Sequence, residues 1–179
     1  GALTIANSTQ KVRLGNSAVN VVEGPVGYTV ASDGRFKDDL RDDVIGLPFI
    51  MKLKPVTYRF NYTRLDEFMR PEIITAAVKS KEIQAYRKMV DDRSLNRETG
   101  FVAQQVEQAV KETGYTGFNG IHAPTNPKDN YSLDYSKLVV PLVKAMQEQQ
   151  QMIDQLNKKS AEQEKIIAEL IKRLEKLEK

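Results

Sequence analysis

From Leu138 to its last residue the chain carries a seven-residue repeat, and a chain that ends this way must meet another helix. With Met146 at position a, the a positions are Val139, Met146, Ile153, Ser160, Ile167 and Leu174. The d positions are Leu142, Gln149, Leu156, Gln163, Leu170 and Leu177. An apolar residue every 3.5 positions makes a seam that a lone helix would leave in water, so the pattern predicts a coiled coil. Ala145, Met152 and Ile166 at g and Ile171 at e widen the apolar face, which favours three strands over two. Lys159 at g precedes Glu164 at e, and Arg173 precedes Glu178, a spacing that suits parallel chains in register. Gln149, Ser160 and Gln163 cost stability inside the seam but fix its register. The residues expected to form the trimer seam are Met146, Ile153, Leu156, Ile167, Leu170, Leu174 and Leu177. Pro141 should bend the first turns or mark where the bundle proper begins.

The opening of the chain is built differently. Residues 3–30 alternate in short bursts: Leu3-Thr4-Ile5, Val12-Arg13-Leu14, Val19-Asn20-Val21-Val22 and Tyr28-Thr29-Val30. Turn formers separate them, at Asn7-Ser8, Gly15-Asn16-Ser17, Glu23-Gly24-Pro25 and Gly27, which is strand chemistry. Strands this short bury too little to stand alone and are expected to pair with other copies, as in the end of a β-rich stalk over 1–31.

Between stalk and coil lies a small mixed globular part, residues 32–137. Pro48 suits the first turn of a short helix that Lys54-Pro55 ends. Val56-Thr57-Tyr58-Arg59-Phe60 alternates like a strand, with Val56, Tyr58 and Phe60 on one face. Residues 64–98 are rich in both charges and in helix formers and read as an inserted helical segment, helical from Pro71 to about Val90. Its charge run from Lys79 to Arg97 reads as a solvated face. A brief strand at Thr99-Gly100-Phe101 enters a helix with Val102, Val106, Ala109 and Val110 at helical spacing, closed by Gly114. A loop-rich stretch follows, then a last short strand at Tyr131–Tyr135, with Asp134 or Ser136 able to cap the final helix. The fold class is α+β: short stalk strands, a mixed globular domain with a helical insertion, and a C-terminal parallel trimeric coiled coil over 138–179.

Composition narrows the chemistry. Among 179 residues there is no cysteine, so disulfides, cysteine–metal sites and thiol nucleophiles are excluded. The single histidine, His122, leaves little for histidine triads or metal clusters and reads as an exposed loop residue. No metal and no cofactor is expected. Net charge is +3, from 27 basic and 24 acidic residues with signs interspersed, so no nucleic-acid partner is expected. Without an apolar run of 18 residues or a signal-peptide pattern, no membrane partner is expected either.

At the junction of stalk and globule stands Ala31-Ser32-Asp33-Gly34-Arg35-Phe36-Lys37. Serine and lysine are the parts of a nucleophile and its base: a hydroxyl attacks only when something accepts its proton, and a lysine accepts one only when neutral. Arg35 could help keep Lys37 neutral, whereas Asp33, Asp38 and Asp39 would oppose that if close; Asp33 and Arg35 read better as a structural ion pair.

Four motifs in order carry a resemblance. They are Ser32-Asp33-Gly34-Arg35-Phe36-Lys37, then Leu53-Lys54-Pro55-Val56-Thr57-Tyr58, then Gly100-Phe101-Val102-Ala103-Gln104-Gln105-Val106. The fourth is Leu133-Asp134-Tyr135-Ser136-Lys137-Leu138-Val139-Val140-Pro141-Leu142, followed by Lys144-Ala145-Met146-Gln147-Glu148. Together they resemble the C-terminal intramolecular chaperone domain of phage endosialidases, tail spikes and tail fibres, also found in myelin regulatory factor. The insertion at 64–98 departs from the shorter phage versions and looks like those of bacterial surface proteins. The resemblance implies a homotrimer that helps an upstream β-fibre of the same polypeptide fold, on a phage virion or bacterial surface. It further implies self-cleavage of the Ala31–Ser32 bond, with Ser32 as nucleophile and Lys37 as base. Gln104 could orient the junction, though a buried structural amide is the simpler reading. The alternative is a trimerisation tip of the same fold that does not cleave.

Overall fold

The computed structural model describes residues 15–19, 21–27, 29–71 and 81–177. Leu3–Ile5, Val12–Leu14 and the start of the helical pattern after Pro71 lie outside the described residues. Two compact units gather pieces distant in sequence. The first takes the described residues of Gly1–Arg41, Lys54–Glu107 and Ile121–Leu133; the second takes Asp42–Leu53, Gln108–Gly120 and the described residues of Asp134–Lys179.

The first unit is mounted on a two-stranded antiparallel ribbon. Val56–Arg59 pairs with Arg97–Gly100 in the register Val56↔Gly100 to Arg59↔Arg97. The expected alternation holds as far as Arg59, Val56 and Tyr58 being half-buried and Thr57 and Arg59 exposed, but the strand ends there and Phe60 is exposed rather than on the inward face. Between the strands the described residues hold two helices of the excursion, Tyr62–Met69 and Lys81–Ser94, so the ribbon joins its two ends. Asn61 begins the Tyr62–Met69 helix by accepting the Arg64 N–H at 2.7 Å, the N-terminal cap of a short polar side chain. The Lys81–Ser94 helix lies beside it. Thr63 Oγ1 donates to Asp91 Oδ1 at 2.6 Å, and Ser94 Oγ accepts the Tyr62 N–H at 3.2 Å, with Val90 buried beneath. A second small ribbon pairs Ile121–His122 with Ser132–Leu133. The last strand is thus shorter than the expected Tyr131–Tyr135, because Asp134 turns the chain into a 3-10 turn by accepting the Ser136 N–H.

The stalk expectation finds no ladder here. Among the described residues before Ser32 no strand forms, and Val21, Val22 and Val30 are 67%, 58% and 81% exposed. A strand exists by its hydrogen-bonded neighbour, and one chain offers this segment none.

The second unit packs the Leu47–Ile50 turn of helix on the long helix Val139–Leu177. Pro48 stands in the first turn as expected. Gly46 is where the backbones touch: a Cβ there would sit 2.6 Å from the Ala145 nitrogen. The Leu47 N–H, orphaned at a helix start, donates to Glu148 Oε2 at 2.7 Å. Phe49 is fully buried, with the rings of Tyr115 and Phe118 at 5.3 and 5.0 Å from its own. Tyr115 reaches this cluster because Gly114 ends the Ala103–Thr113 helix at φ +68, a left-handed turn that glycine makes without strain. Pro141 is buried in the first turn of the long helix, where its missing N–H costs least.

Candidate active site

The geometry at the junction is made by one tight turn. Gly34–Phe36 is a 3-10 turn, closed by Phe36 N–H to Asp33 O at 3.1 Å and Lys37 N–H to Gly34 O at 3.2 Å. Asp33 caps it, accepting the Arg35 N–H at 2.9 Å. The turn folds residue 37 back over residue 32, and Lys37 Nζ donates to Ser32 Oγ at 2.8 Å. Nucleophile and base need contact at this range. The chain therefore brings together the two side chains that sequence reasoning singled out.

Asp33 and Arg35 form an ion pair, as read from their types: Arg35 Nη2 and Nε donate to Asp33 Oδ2 at 2.6 and 3.0 Å. The Arg35 hydrogen bonds hold the Asp33 carboxyl below the usual carboxylate range, and Asp33 in turn raises Arg35. The arginine charge is thus engaged by its neighbour, so neither residue faces the serine–lysine contact as a lone charge. Every described residue from 21 to 43 is exposed, the pair included. Gln104 departs from expectation. It stands exposed in the first turn of the Ala103–Thr113 helix, because the apolar stripe that turns inward there is Val106 and Ala109. Among the described residues no hydrogen bond links it to the junction.

The residues expected to form a seam all lie on the long helix and all face water in a single chain. Their exposure runs from 43% at Ile153 to 83% at Leu177, with Met146, Leu156, Ile167, Leu170 and Leu174 between.

Two clusters escaped the sequence. His122 sits in a strand rather than an exposed loop, its Nε2 2.6 Å from Oδ2 of Asp129, whose carboxylate is wholly buried. Asp129 also accepts the Thr125 N–H at 3.2 Å and the Asn130 N–H at 2.9 Å, so the loop is tied around it. The second cluster lines an open cleft of about 310 Å³ in the helical excursion. There Asp66 accepts from Arg70 Nη2 at 2.6 Å, from Tyr86 OH at 2.5 Å and from Ser17 Oγ at 2.5 Å. Burial and the Asp66 hydrogen bond push the Tyr86 phenol up. Burial works against the Arg70 charge, but the bond and charge of Asp66 outweigh it and raise the group. Arg93, read as part of a solvated charge run, lies over the Tyr62 ring at 4.0 Å and is half-buried. A charge run states how many charges a helix carries; which one turns inward depends on what packs there.

Among the described residues no group of three or more His, Asp or Glu is placed to hold a metal ion, and no helix is long and apolar enough to cross a membrane. Residues 32–115 match the family model described as chaperone of endosialidase, a peptidase family, and the match begins at Ser32 itself. No curated protein and no solved structure matches the chain.

Proposed function

We propose, from the premise that residues 32–115 are a chaperone-of-endosialidase domain, that the chain aligns three copies of an upstream β-fibre and then cuts itself free. The observation that carries the cutting is the 2.8 Å contact between Lys37 Nζ and Ser32 Oγ, at the residue where the family match begins. Ser32 Oγ attacks the carbonyl carbon of Ala31 while neutral Lys37 takes the hydroxyl proton. The Ala31–Ser32 C–N bond breaks, that proton passes to the departing nitrogen, and an ester joins Ala31 to Ser32 Oγ. Water then adds to the ester, Ala31 leaves as a carboxylate, and the serine hydroxyl is restored beneath a new amino terminus.

In one chain the amine donates to the hydroxyl, the reverse of what attack requires, and both stand in water. A lysine gives up its proton when burial or a neighbouring cation disfavours its charged form. Trimerisation through the Val139–Leu177 heptads supplies that cover, so cutting reports assembly. The setting is a phage virion or a bacterial surface, with no cofactor, nucleic acid or membrane as partner.

The test is intact mass of the assembled protein, incubated between about pH 6 and 9. A fragment beginning at Ser32, formed faster as pH rises, is expected; Ser32→Ala and Lys37→Ala both stay full length, since nucleophile and base act as a unit. A parent trimer that remains whole overturns the cutting and leaves a trimerisation tip. Cutting that persists in Lys37→Ala discards the base and keeps the nucleophile.

A further inference from the structure

The helical excursion has no part in that reaction, yet it grips the chain upstream of the bond. Gly15 and Ser17 are buried, in contrast to the exposed residues that follow from 21. Gly15-Asn16-Ser17-Ala18-Val19 is a closed loop: Asn16 O accepts the Val19 N–H at 3.0 Å, and Asn16 Oδ1 accepts the Ala18 N–H at 2.9 Å. Such an Asx turn is held by its own side chain and needs no ladder. Gly15 has φ +80, and a Cβ there would meet Val19 Cγ2 at 2.7 Å, so only glycine closes it without strain.

Both helices of the excursion receive this loop. From the Tyr62–Met69 helix, Asp66 accepts a hydrogen bond from the Ser17 hydroxyl at 2.5 Å. From the Lys81–Ser94 helix, Arg93 Nη1 donates to Ser17 O at 2.9 Å and to Val19 O at 2.5 Å. Each receiver is itself held in place. Arg93 rests on the Tyr62 ring, Tyr62 donates to Glu98 Oε1 at 2.6 Å, and Asp66 is fixed by Arg70 and Tyr86. What is read is the loop's backbone carbonyls and one hydroxyl, while the described residues from 21 to 31 are all exposed.

We infer that the excursion is a clasp for the fibre end: once Ala31–Ser32 is cut, the upstream product stays attached non-covalently through Gly15–Val19. The biological occasion rests on the self-cleaving reading, but the clasp can be tested without it. In a Ser32→Ala chain a site-specific protease sequence is placed between Gly24 and Gly27, where a Cβ added to either glycine would meet no atom closer than 3.6 Å. The assembled protein is cut there by added protease and passed over a sizing column, and each fraction is weighed by mass spectrometry.

The amino-terminal piece is expected to co-elute with the remainder. Gly15→Ala and Ser17→Ala, which alter only the piece, should each speed its release by about tenfold, the effect of roughly one lost hydrogen bond or strained residue. Arg93→Ala should release it faster still. Immediate loss of the piece from the parent overturns the clasp, and so does retention unchanged by all three substitutions, which would place the grip elsewhere. A parent that fails to cut itself but keeps the externally cut piece sinks the self-cleaving reading alone; one that cuts itself and sheds the piece sinks the clasp alone.

Discussion

Asp33–Arg35 and Asp66–Arg70 close at the same 2.6 Å, from the same two residue types, in the same unit of the molecule. The side chains of the first pair are 39% and 81% exposed; those of the second are 10% and 14% exposed. Water can replace every bond of the first pair, so it shapes a local turn and little more. The second pair has given up most of its water, and removing either partner leaves a buried charge held only by the neutral hydroxyls around it. The contrast extends to what each pair serves. Asp33 and Arg35 brace a serine–lysine contact that stands open in one chain, whereas Asp66 and Arg70 support a loop grip complete in one chain. In the proposed reaction the junction needs other copies to cover it, whereas the contacts of the Gly15–Val19 loop are complete in one chain.

The largest effect should come from taking those copies away. Leu156→Asp together with Leu170→Asp puts charges into the seam, and light scattering should then give a monomer mass. Cutting at Ala31–Ser32 should disappear while the Ser17–Asp66 contact persists, which amide hydrogen exchange at Ser17 and Ala18 would read. Cutting that survives in a monomer would erase the distinction between the two regions.

Next in size is the buried pair. Asp66→Ala should destabilise by roughly 3 kcal/mol, in the range for breaking a buried charge pair, whereas Asp33→Ala should leave the thermal midpoint unmoved. Equal shifts in a melting experiment would show that burial is not what separates the pairs.

Alkali should sharpen the comparison further. Tyr62 is raised from 10.0 by burial and by its bond to Glu98, and Tyr86 by burial and Asp66. A raised phenol contributes stability in full below its unfolded value of 10.0, and loses it as pH climbs through the folded value. The clasp should therefore loosen above about pH 10 while the junction turn, which holds no tyrosine, does not. Absorbance of tyrosinate would show these phenols ionising late, with release of the upstream loop following them.

Acid gives the smallest effect. Asp33 lies below its usual 3.8 because of Arg35, so the cap it places on the Gly34–Phe36 turn is present above that value and is lost as pH falls through the lower folded one. Carboxylate chemical shifts of Asp33 should follow that course without any change in the global fold.

How much of this could be read beforehand depends on the range of the interaction. The heptads announced the long helix, Gly114 announced the end of the helix before it, and the alternation from Val56 announced a strand that ends one residue early, at Arg59, because each is a pattern within one element. The serine–lysine contact was legible for a related reason: five residues and one glycine-containing turn suffice to make it. Gln104 and His122 were misplaced because burial of a single polar residue is set by which neighbours the fold turns toward it, as the loop turns Asp129 toward His122.

Sequence alone determined the periodic and the local: a stripe of apolar residues along the last helix, a serine and a lysine close enough in sequence to meet across one turn, and a charged segment between two strands. Only the tertiary structure decided which charges of that excursion turn inward. Ser17 lies 49 positions from Asp66 and 76 from Arg93, and no spacing rule spans such distances. The physical reason is that a helix with many charges satisfies most of them in water. The one or two that leave water do so only where a folded partner offers a carbonyl, a hydroxyl or an opposite charge in exchange.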